Sequence, residues 1–138
     1  MKNLLVMKFG GTSMGSAERI KSSAAICAEA HRERPVAVIV SAMSKVTDML
    51  LETLRHAEGG DETGVDKMLA ALDAKHRECA DALLPQPLRE QTQAVLDDIL
   101  NEFSRIARGI LMLGERPPRS VDEAIAVGER LSSNLIAA

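Results

Sequence analysis

Aromatic residues are almost absent from this sequence, whose 138 residues include two Phe, no Tyr and no Trp. A hydrophobic core must therefore be built from Leu, Ile, Val, Met and Ala, a set that favours helices. The same absence excludes a protein that stacks single-stranded nucleic acid on aromatic rings. The chain has no basic excess either, since its formal net charge is −3 and its longest basic cluster, residues 31–34, contains an acid. We therefore expect no nucleic-acid partner.

Long hydrophobic runs are also missing. The apolar stretch at residues 4–7 is too short for the core of a signal peptide, and Lys8 follows it soon after. No stretch approaches the roughly 20 apolar residues that a membrane-spanning helix needs. We therefore expect no membrane partner and a cytoplasmic protein of ordinary globular composition, with 46% hydrophobic and 27% charged residues.

Cysteine and histidine are too few and too scattered to suggest a metal site. Cys27 and Cys79 are the only cysteines, and both lie in helical patterns among apolar residues, which is typical of small buried side chains. The three histidines are His31, His56 and His76, and no pair has the spacing of a metal-binding helix motif. We predict no metal site built by the protein itself.

The front of the chain has the pattern of a βαβ unit. Residues 4–9 form a short apolar run that ends at two glycines, and residues 36–40 are apolar and mostly β-branched. Both are predicted strands that are buried on both faces, as in parallel sheets. Between them a helical pattern begins at Ser16 and ends at Pro35. The crossover should be right-handed.

Only helices are predicted after Ser41. Amphipathic segments cover residues 46–57, 65–84 and 88–113. Ser120 and Glu123 then form a capping box that opens a last helix. A sheet usually has about four to six strands, and the apolar helical pattern continues to Ala138 without a stop signal. The sequence therefore predicts the front part of a larger α/β domain.

The glycine turn, residues 10–15, is the sharpest sign of chemistry. It follows Lys8 at the end of the first predicted strand and leads into a helix. Such a turn lets backbone N–H groups approach an anion, and the helix N-terminus adds its positive dipole end. Lys8 can lean over the same site and stabilise a transferring phosphoryl group. The Walker A and dinucleotide motifs do not fit, and a plain turn beside a solvated lysine explains the spacing equally well.

Two further clusters carry polar side chains. Residues 41–48 follow the second predicted strand, at the edge where ligands bind in open α/β sheets. Their hydroxyl groups could bind a carboxylate or phosphate, but helix capping by Ser44 or Thr47 is the simpler interpretation. Glu129 in the last predicted helix could hold a substrate ammonium group, although an exposed helical charge explains it more simply.

The three clusters together resemble one family. The segments KFGGTS, VSAMSKVTDML and GERLS, in this order over nearly the whole chain, resemble the aspartate kinases of the amino-acid kinase superfamily. The resemblance implies a three-layer α/β/α fold of the carbamate-kinase type. It also implies ATP-dependent phosphorylation of the L-aspartate side-chain carboxylate to 4-phospho-L-aspartate, the first step toward lysine, threonine and methionine. ATP with its Mg²⁺ is the implied cofactor, and the full-length enzyme is expected to be a homo-oligomer.

The same resemblance implies roles for individual residues. Lys8 is the implied catalytic lysine, and Ser41, Thr47 and Glu129 are implied to bind aspartate, Glu129 through the amino group. The ATP phosphates are expected against Lys8, Phe9, Gly10, Gly11, Thr12 and Ser13.

This sequence departs from the family pattern at three positions and in length. Lys45 stands where many relatives have Gly, Asp48 where they have Asn, and Val127 where a His is usual. The resemblance covers only the front half of a kinase domain. We expect the half with most of the nucleotide pocket and the ACT regulatory domains to be absent. The predicted parts are a βαβ unit at residues 1–45, a helical subdomain at 46–113 and an active-site helix at 120–138.

Two other functions remain open at this point. Substrate choice rests on resemblance alone, so another amino-acid kinase that acts on glutamate, carbamate or a nucleotide monophosphate is one alternative. A non-catalytic module, whose long helices dimerise or bind a partner, is the other.

Overall fold

The computed structural model describes residues 3–138, which form two strands and five helices. The strands are β1 (Leu5–Phe9) and β2 (Val36–Val40). The helices are α1 (Ala17–Glu33), α2 (Val46–Glu58), α3 (Glu62–Leu83), α4 (Leu88–Leu113) and α5 (Pro118–Ala137). The predicted order of elements is confirmed, and within the described residues no strand follows Val40.

The sheet has one covered face and one open face. β1 and β2 pair in parallel, with Leu5 opposite Val36 and Phe9 opposite Val40. Helices α1 and α5 pack on β2 and share an apolar cavity with it. On the opposite face Val6 is 57% exposed and Ile39 is 54% exposed. The prediction that the strands are buried on both faces is therefore wrong, because residues 3–138 supply a covering layer for one face only.

Two helices begin earlier than the sequence predicts. α3 begins at Glu62 because the side chain of Asp61 accepts a hydrogen bond from its first turn and caps it. α5 begins at Pro118, where proline is tolerated because the first N–H groups of a helix have no partner within it. Ser120 and Glu123 therefore lie inside the helix, and the predicted capping box does not form.

The core lies mainly among the helices. α2, α3 and α4 pack on one another, and α5 packs on α2 and α4. Phe103 of α4 is fully buried. Other large apolar side chains with almost no exposed surface are Met14, Ile20, Leu50, Leu54, Leu72, Leu96, Leu131 and Leu135. The prediction of an aliphatic, helix-rich core is confirmed.

A histidine is buried in that core. The Nδ1–H of His76 on α3 donates to the Leu72 carbonyl at 2.7 Å, while Nε2 is buried without a hydrogen-bond partner in the described chain. Burial lowers the pKa of His76, since the imidazolium would lose its hydration. Cys79 is buried and Cys27 is half-buried, and burial raises the pKa of both thiols. Both cysteines are therefore small, protonated packing residues.

The remaining charged groups lie mostly at the surface. Arg77 of α3 reaches Asp97 of α4, and Arg108 of α4 reaches Asp66 of α3. Exposed pairs of this kind contribute about 0–1 kcal/mol each. Residues 3–138 contain no helix that is long and apolar enough to cross a membrane. They also contain no group of three or more His, Cys, Asp or Glu side chains that could hold a metal ion.

Candidate active site

Lys8 lies on the open face of the sheet, at the end of β1. It is exposed and stands opposite Ile39 in the parallel pair. Its Nζ is 3.9 Å from the position that a Cβ on Gly10 would occupy, so the ammonium group lies against the glycine turn. Because Gly10 has no side chain, the backbone beside this cation stays open to a ligand.

The glycine turn is stabilised by its own backbone. The Gly10 carbonyl accepts hydrogen bonds from the N–H groups of Ser13 and Met14 at 3.0 and 3.2 Å. Met14 is fully buried and anchors the turn in the core. The N–H groups of Gly11 and Thr12 donate to no atom of residues 3–138. Backbone N–H groups of this kind are suited to an anion.

Side chains from outside the turn hold three of its carbonyl groups. One donor follows β2, and the other two lie on α1. The bonds run from Ser44 to the Gly11 carbonyl at 3.0 Å, from Arg19 to the Thr12 carbonyl at 3.1 Å and from Ser23 to the Ser13 carbonyl at 3.2 Å. Two neighbouring elements therefore fix the orientation of the turn.

The loop after β2 packs directly against the glycine turn. The Ala42 carbonyl oxygen is 3.3 Å from the position of a Cβ on Gly11. The hydroxyl oxygen of Ser44 is only 2.8 Å from the position of a Cβ on Gly15. A side chain at residue 15 would therefore displace the Ser44 hydroxyl. The glycines therefore allow the turn and the loop after β2 to approach each other. They also leave room for a ligand.

The start of α2 differs from the prediction. Neither Ser44 nor Thr47 caps the helix, because the N-cap position belongs to Lys45, whose side chain makes no cap hydrogen bond. Lys45 has a left-handed backbone with a φ of 68°. That conformation costs a residue with a side chain roughly 1–2 kcal/mol, and glycine avoids the cost.

α5 joins the third cluster to the loop after β2. The Ser132 hydroxyl donates to the Ser41 carbonyl at 2.7 Å. A Cβ on Gly128 would lie 2.7 Å from the Cβ of Ala42, so the helix can approach this loop only because residue 128 has no side chain. Glu129 is the next residue, and it is exposed.

The carboxylate of Glu129 is available to a ligand. Its neighbour Arg130 is engaged elsewhere, with Glu102 of α4 at 2.6 Å. The hydrogen bond from Arg130 holds the pKa of Glu102 below its ordinary value and raises that of Arg130. No cation of the described residues forms an ion pair with Glu129. An ammonium group could therefore bind Glu129 without breaking an existing pair.

The three sequence clusters thus meet, although not every predicted residue takes part in the contacts. Thr47 is half-buried in the first turn of α2, and among the described residues no hydrogen bond joins it to Glu129. Ser41 takes part through its backbone. Sequence analysis missed the bridging roles of Ser44 and Ser132, whose hydroxyl groups bond to carbonyls 33 and 91 residues away. No local pattern could have revealed either bond.

The fold and the site define a class of protein. A parallel βαβ unit, a lysine against a glycine turn and a flanking carboxylate form an α/β site suited to an anionic ligand. The chain belongs to the amino acid kinase family, whose model matches residues 3–138.

Relatives with curated descriptions include aspartokinases from plants and bacteria. The chain is 37% identical over 133 residues to bifunctional aspartokinase/homoserine dehydrogenase 1, chloroplastic, of Arabidopsis thaliana. This alignment covers 96% of this chain and 14% of that protein. The chain is 36% identical over 132 residues to the aspartokinase of Chlamydia trachomatis serovar D, with 96% of this chain and 26% of that protein covered. The chain thus spans between about a seventh and a quarter of these relatives.

Solved structures share the fold. Aspartokinase III of E. coli in complex with lysine and aspartate (T-state) matches with a TM-score of 0.80 and 22% identity, over 97% of this chain and 28% of that one. The same enzyme in complex with aspartate and ADP (R-state) matches with a TM-score of 0.71 and 25% identity. The predicted amino-acid kinase fold is confirmed for the part that this chain spans.

Proposed function

We propose that this chain carries the phosphate-binding turn and the aspartate-binding residues of an aspartate kinase. In the reaction, a side-chain carboxylate oxygen of L-aspartate attacks the γ-phosphorus of ATP. The bond from that phosphorus to the β–γ bridging oxygen breaks, and ADP and 4-phospho-L-aspartate form. The observation that carries the proposal is the position of the Lys8 ammonium group against Gly10, in the turn where two N–H groups have no partner among residues 3–138.

Lys8 and the glycine turn would act on the phosphoryl group in flight. Its charge is spread over three oxygens, so catalysis depends on positioning and on preorganised cations and N–H donors. The Lys8 ammonium group supplies a cation, and Gly11 and Thr12 supply N–H donors. Mg²⁺ would enter with the ATP phosphates, because it usually keeps phosphate and water ligands rather than a protein cage.

The aspartate would bind on the side of α5 and the loop after β2. Glu129 would accept the substrate amino group, since no cation of the described chain pairs with it. The hydroxyl groups of Ser41 and Thr47 would select a carboxylate substrate by hydrogen bonding. The likeness to an enzyme whose solved structure contains aspartate and ADP supports aspartate and a nucleotide as the ligands.

The proposal can be tested by trapping the product with hydroxylamine. We expect a full-length kinase that contains this chain to form aspartyl hydroxamate from MgATP and L-aspartate, and Lys8→Ala in that enzyme to lower the turnover by about 10²-fold or more. Lys67→Ala is the matched control, because Lys67 is an exposed lysine of α3. Equal turnover of Lys8→Ala and the unchanged chain would overturn the assignment of the phosphoryl site.

A second assay separates the alternatives. ADP release measured with L-aspartate, L-glutamate, carbamate and nucleotide monophosphates would identify the substrate class, and we expect release with L-aspartate alone. Binding provides an independent reading, since MgATP should shift the amide NMR signals of the glycine turn. A full-length protein that contains this chain and binds neither MgATP nor any of these substrates would instead support the non-catalytic module.

A further inference from the structure

We infer that Ser44 is a positioning residue of the phosphate site, whose hydroxyl sets the direction of the Thr12 N–H through the Gly11 carbonyl. The inference rests on the proposed function, because it gives the Thr12 N–H a phosphate ligand. The hydroxyl donates to the Gly11 carbonyl at 3.0 Å and joins the loop after β2 to the glycine turn.

The geometry of the peptide bond connects the two groups. The carbonyl of Gly11 and the N–H of Thr12 belong to one planar trans peptide, so they point in opposite directions. Holding the carbonyl toward Ser44 therefore directs the N–H away from the loop after β2. Thr12 is exposed, and its N–H has no partner in the part of the chain that the structure describes. A bound anion would supply the missing acceptor.

The Ser44 hydroxyl is itself held in place. It fits into the space left by Gly15, where a Cβ would come within 2.8 Å. Its chain neighbours restrict the backbone, because Met43 is buried and Lys45 is left-handed. The Gly11 carbonyl also accepts a hydrogen bond from the Met14 N–H at 3.2 Å, which is longer than the bond from Ser44. Ser44 is thus the donor that reaches the Gly11 carbonyl from outside the turn.

Two measurements on the whole chain test the inference. The first is the NMR order parameter of the Thr12 amide without ligand. We expect about 0.85, the value of rigid backbone, and a fall below about 0.6 in Ser44→Ala. The second is the affinity for MgATP, which Ser44→Ala should weaken about tenfold, equivalent to about 1.4 kcal/mol. The matched control is Ser22→Ala, which removes an exposed hydroxyl that donates to the Glu18 carbonyl on α1.

A second variant keeps the inference testable if Ser44→Ala does not fold. Ser44→Cys keeps a side chain of similar shape but replaces the hydroxyl with a weak thiol donor, so it should lower the Thr12 order parameter in the same way. A Thr12 amide that is already mobile in the unchanged chain, or one that stays rigid in both variants, would overturn the inference.

The outcomes also separate this inference from the proposed function. Loss of rigidity in Ser44→Ala, when the full-length protein that contains this chain does not bind MgATP, would support the positioning of Thr12 and contradict its role with phosphate. Unchanged MgATP affinity in Ser44→Ala, in a chain that does bind, would contradict the positioning role and leave the kinase assignment standing.

Discussion

The hydroxyl of Ser132 donates to the carbonyl of Ser41, and this bond links residues that are 91 positions apart in the chain. It connects α5 to the loop at the end of β2. The bond is 2.7 Å long, and Ser132 has no exposed surface. The placement of Glu129 beside the loop after β2 therefore depends on packing as much as on sequence proximity.

Ser132→Ala should lower the free energy of unfolding by about 1–2 kcal/mol, because it leaves the Ser41 carbonyl without its donor. Urea denaturation followed by far-UV circular dichroism measures the change. Ser133→Ala is the control, since that hydroxyl is exposed and bonds only to the Arg130 carbonyl of its own helix. Equal stability of the two variants would show that the bond to Ser41 contributes nothing.

Gly128→Ala should also destabilise the protein, by about 1–3 kcal/mol, because its Cβ would come within 2.7 Å of the Cβ of Ala42. Gly109→Ala on α4 meets nothing within 4 Å and should stabilise the helix by about 0.5–1 kcal/mol. The two substitutions are chemically identical, so opposite signs in thermal unfolding isolate the close contact. A stabilised Gly128→Ala would contradict the packing of α5 on this loop.

Lys45→Gly should raise the free energy of unfolding by about 0.5–1 kcal/mol. The left-handed backbone at Lys45 costs a residue with a side chain more than it costs glycine, even after the greater chain entropy that glycine loses. Lys67→Gly in the interior of α3 should instead destabilise the protein by about 1 kcal/mol. Denaturant titration of both variants would show whether residue 45 has a left-handed backbone in solution. If both variants lost the same free energy of unfolding, a left-handed backbone at residue 45 would be excluded.

The stability of the folded chain should fall as pH decreases below about 6.5 because of His76. Burial lowers the pKa of this histidine from its ordinary value of 6.5, so the unfolded chain binds the proton more readily. The contribution of neutral His76 to the free energy of unfolding is fully present above pH 6.5. As the pH falls toward the pKa of His76 in the folded chain, this contribution is lost at up to about 1.4 kcal/mol per pH unit.

Urea denaturation between about pH 7 and pH 5 tests this dependence. His76→Gln should flatten the curve, since its amide can still donate to the Leu72 carbonyl but does not titrate. His31→Gln, at an exposed position of α1, should leave the curve unchanged. An unchanged slope in His76→Gln would assign the pH dependence to other groups.

Local patterns predicted the elements because each depends on neighbouring residues. α4 occupies residues 88–113, the range that its apolar periodicity predicts, and β2 occupies the run at 36–40. The start of α5 was missed because Ser120 and Glu123 have the composition of a capping box, whereas Pro118 already fixes a helical backbone. Competing local signals of similar strength cannot be ranked without the tertiary structure.

The candidate site was predictable in its residue types but not in its contacts. Lys8, the glycine turn and Glu129 were identified from sequence, and their roles in catalysis and binding stay predictions. The assignment of Ser44 to helix capping was wrong, because its hydroxyl bonds to a carbonyl 33 residues earlier. An apolar strand sequence such as that of β2 is compatible with a sheet that has helices on one face or on both. The open face of the sheet could therefore not be predicted from the sequence.

The open face of the sheet has a practical consequence for measurements in solution. Leu4, Val6 and Ile39 expose apolar surface in the folded state, and dyes that fluoresce on such surface normally report partly unfolded states. Here the native protein itself should bind such a dye, so the dye fluorescence should already be high before thermal unfolding begins. Since the chain has no Trp or Tyr to provide intrinsic fluorescence, backbone dichroism is the signal that follows its unfolding without ambiguity.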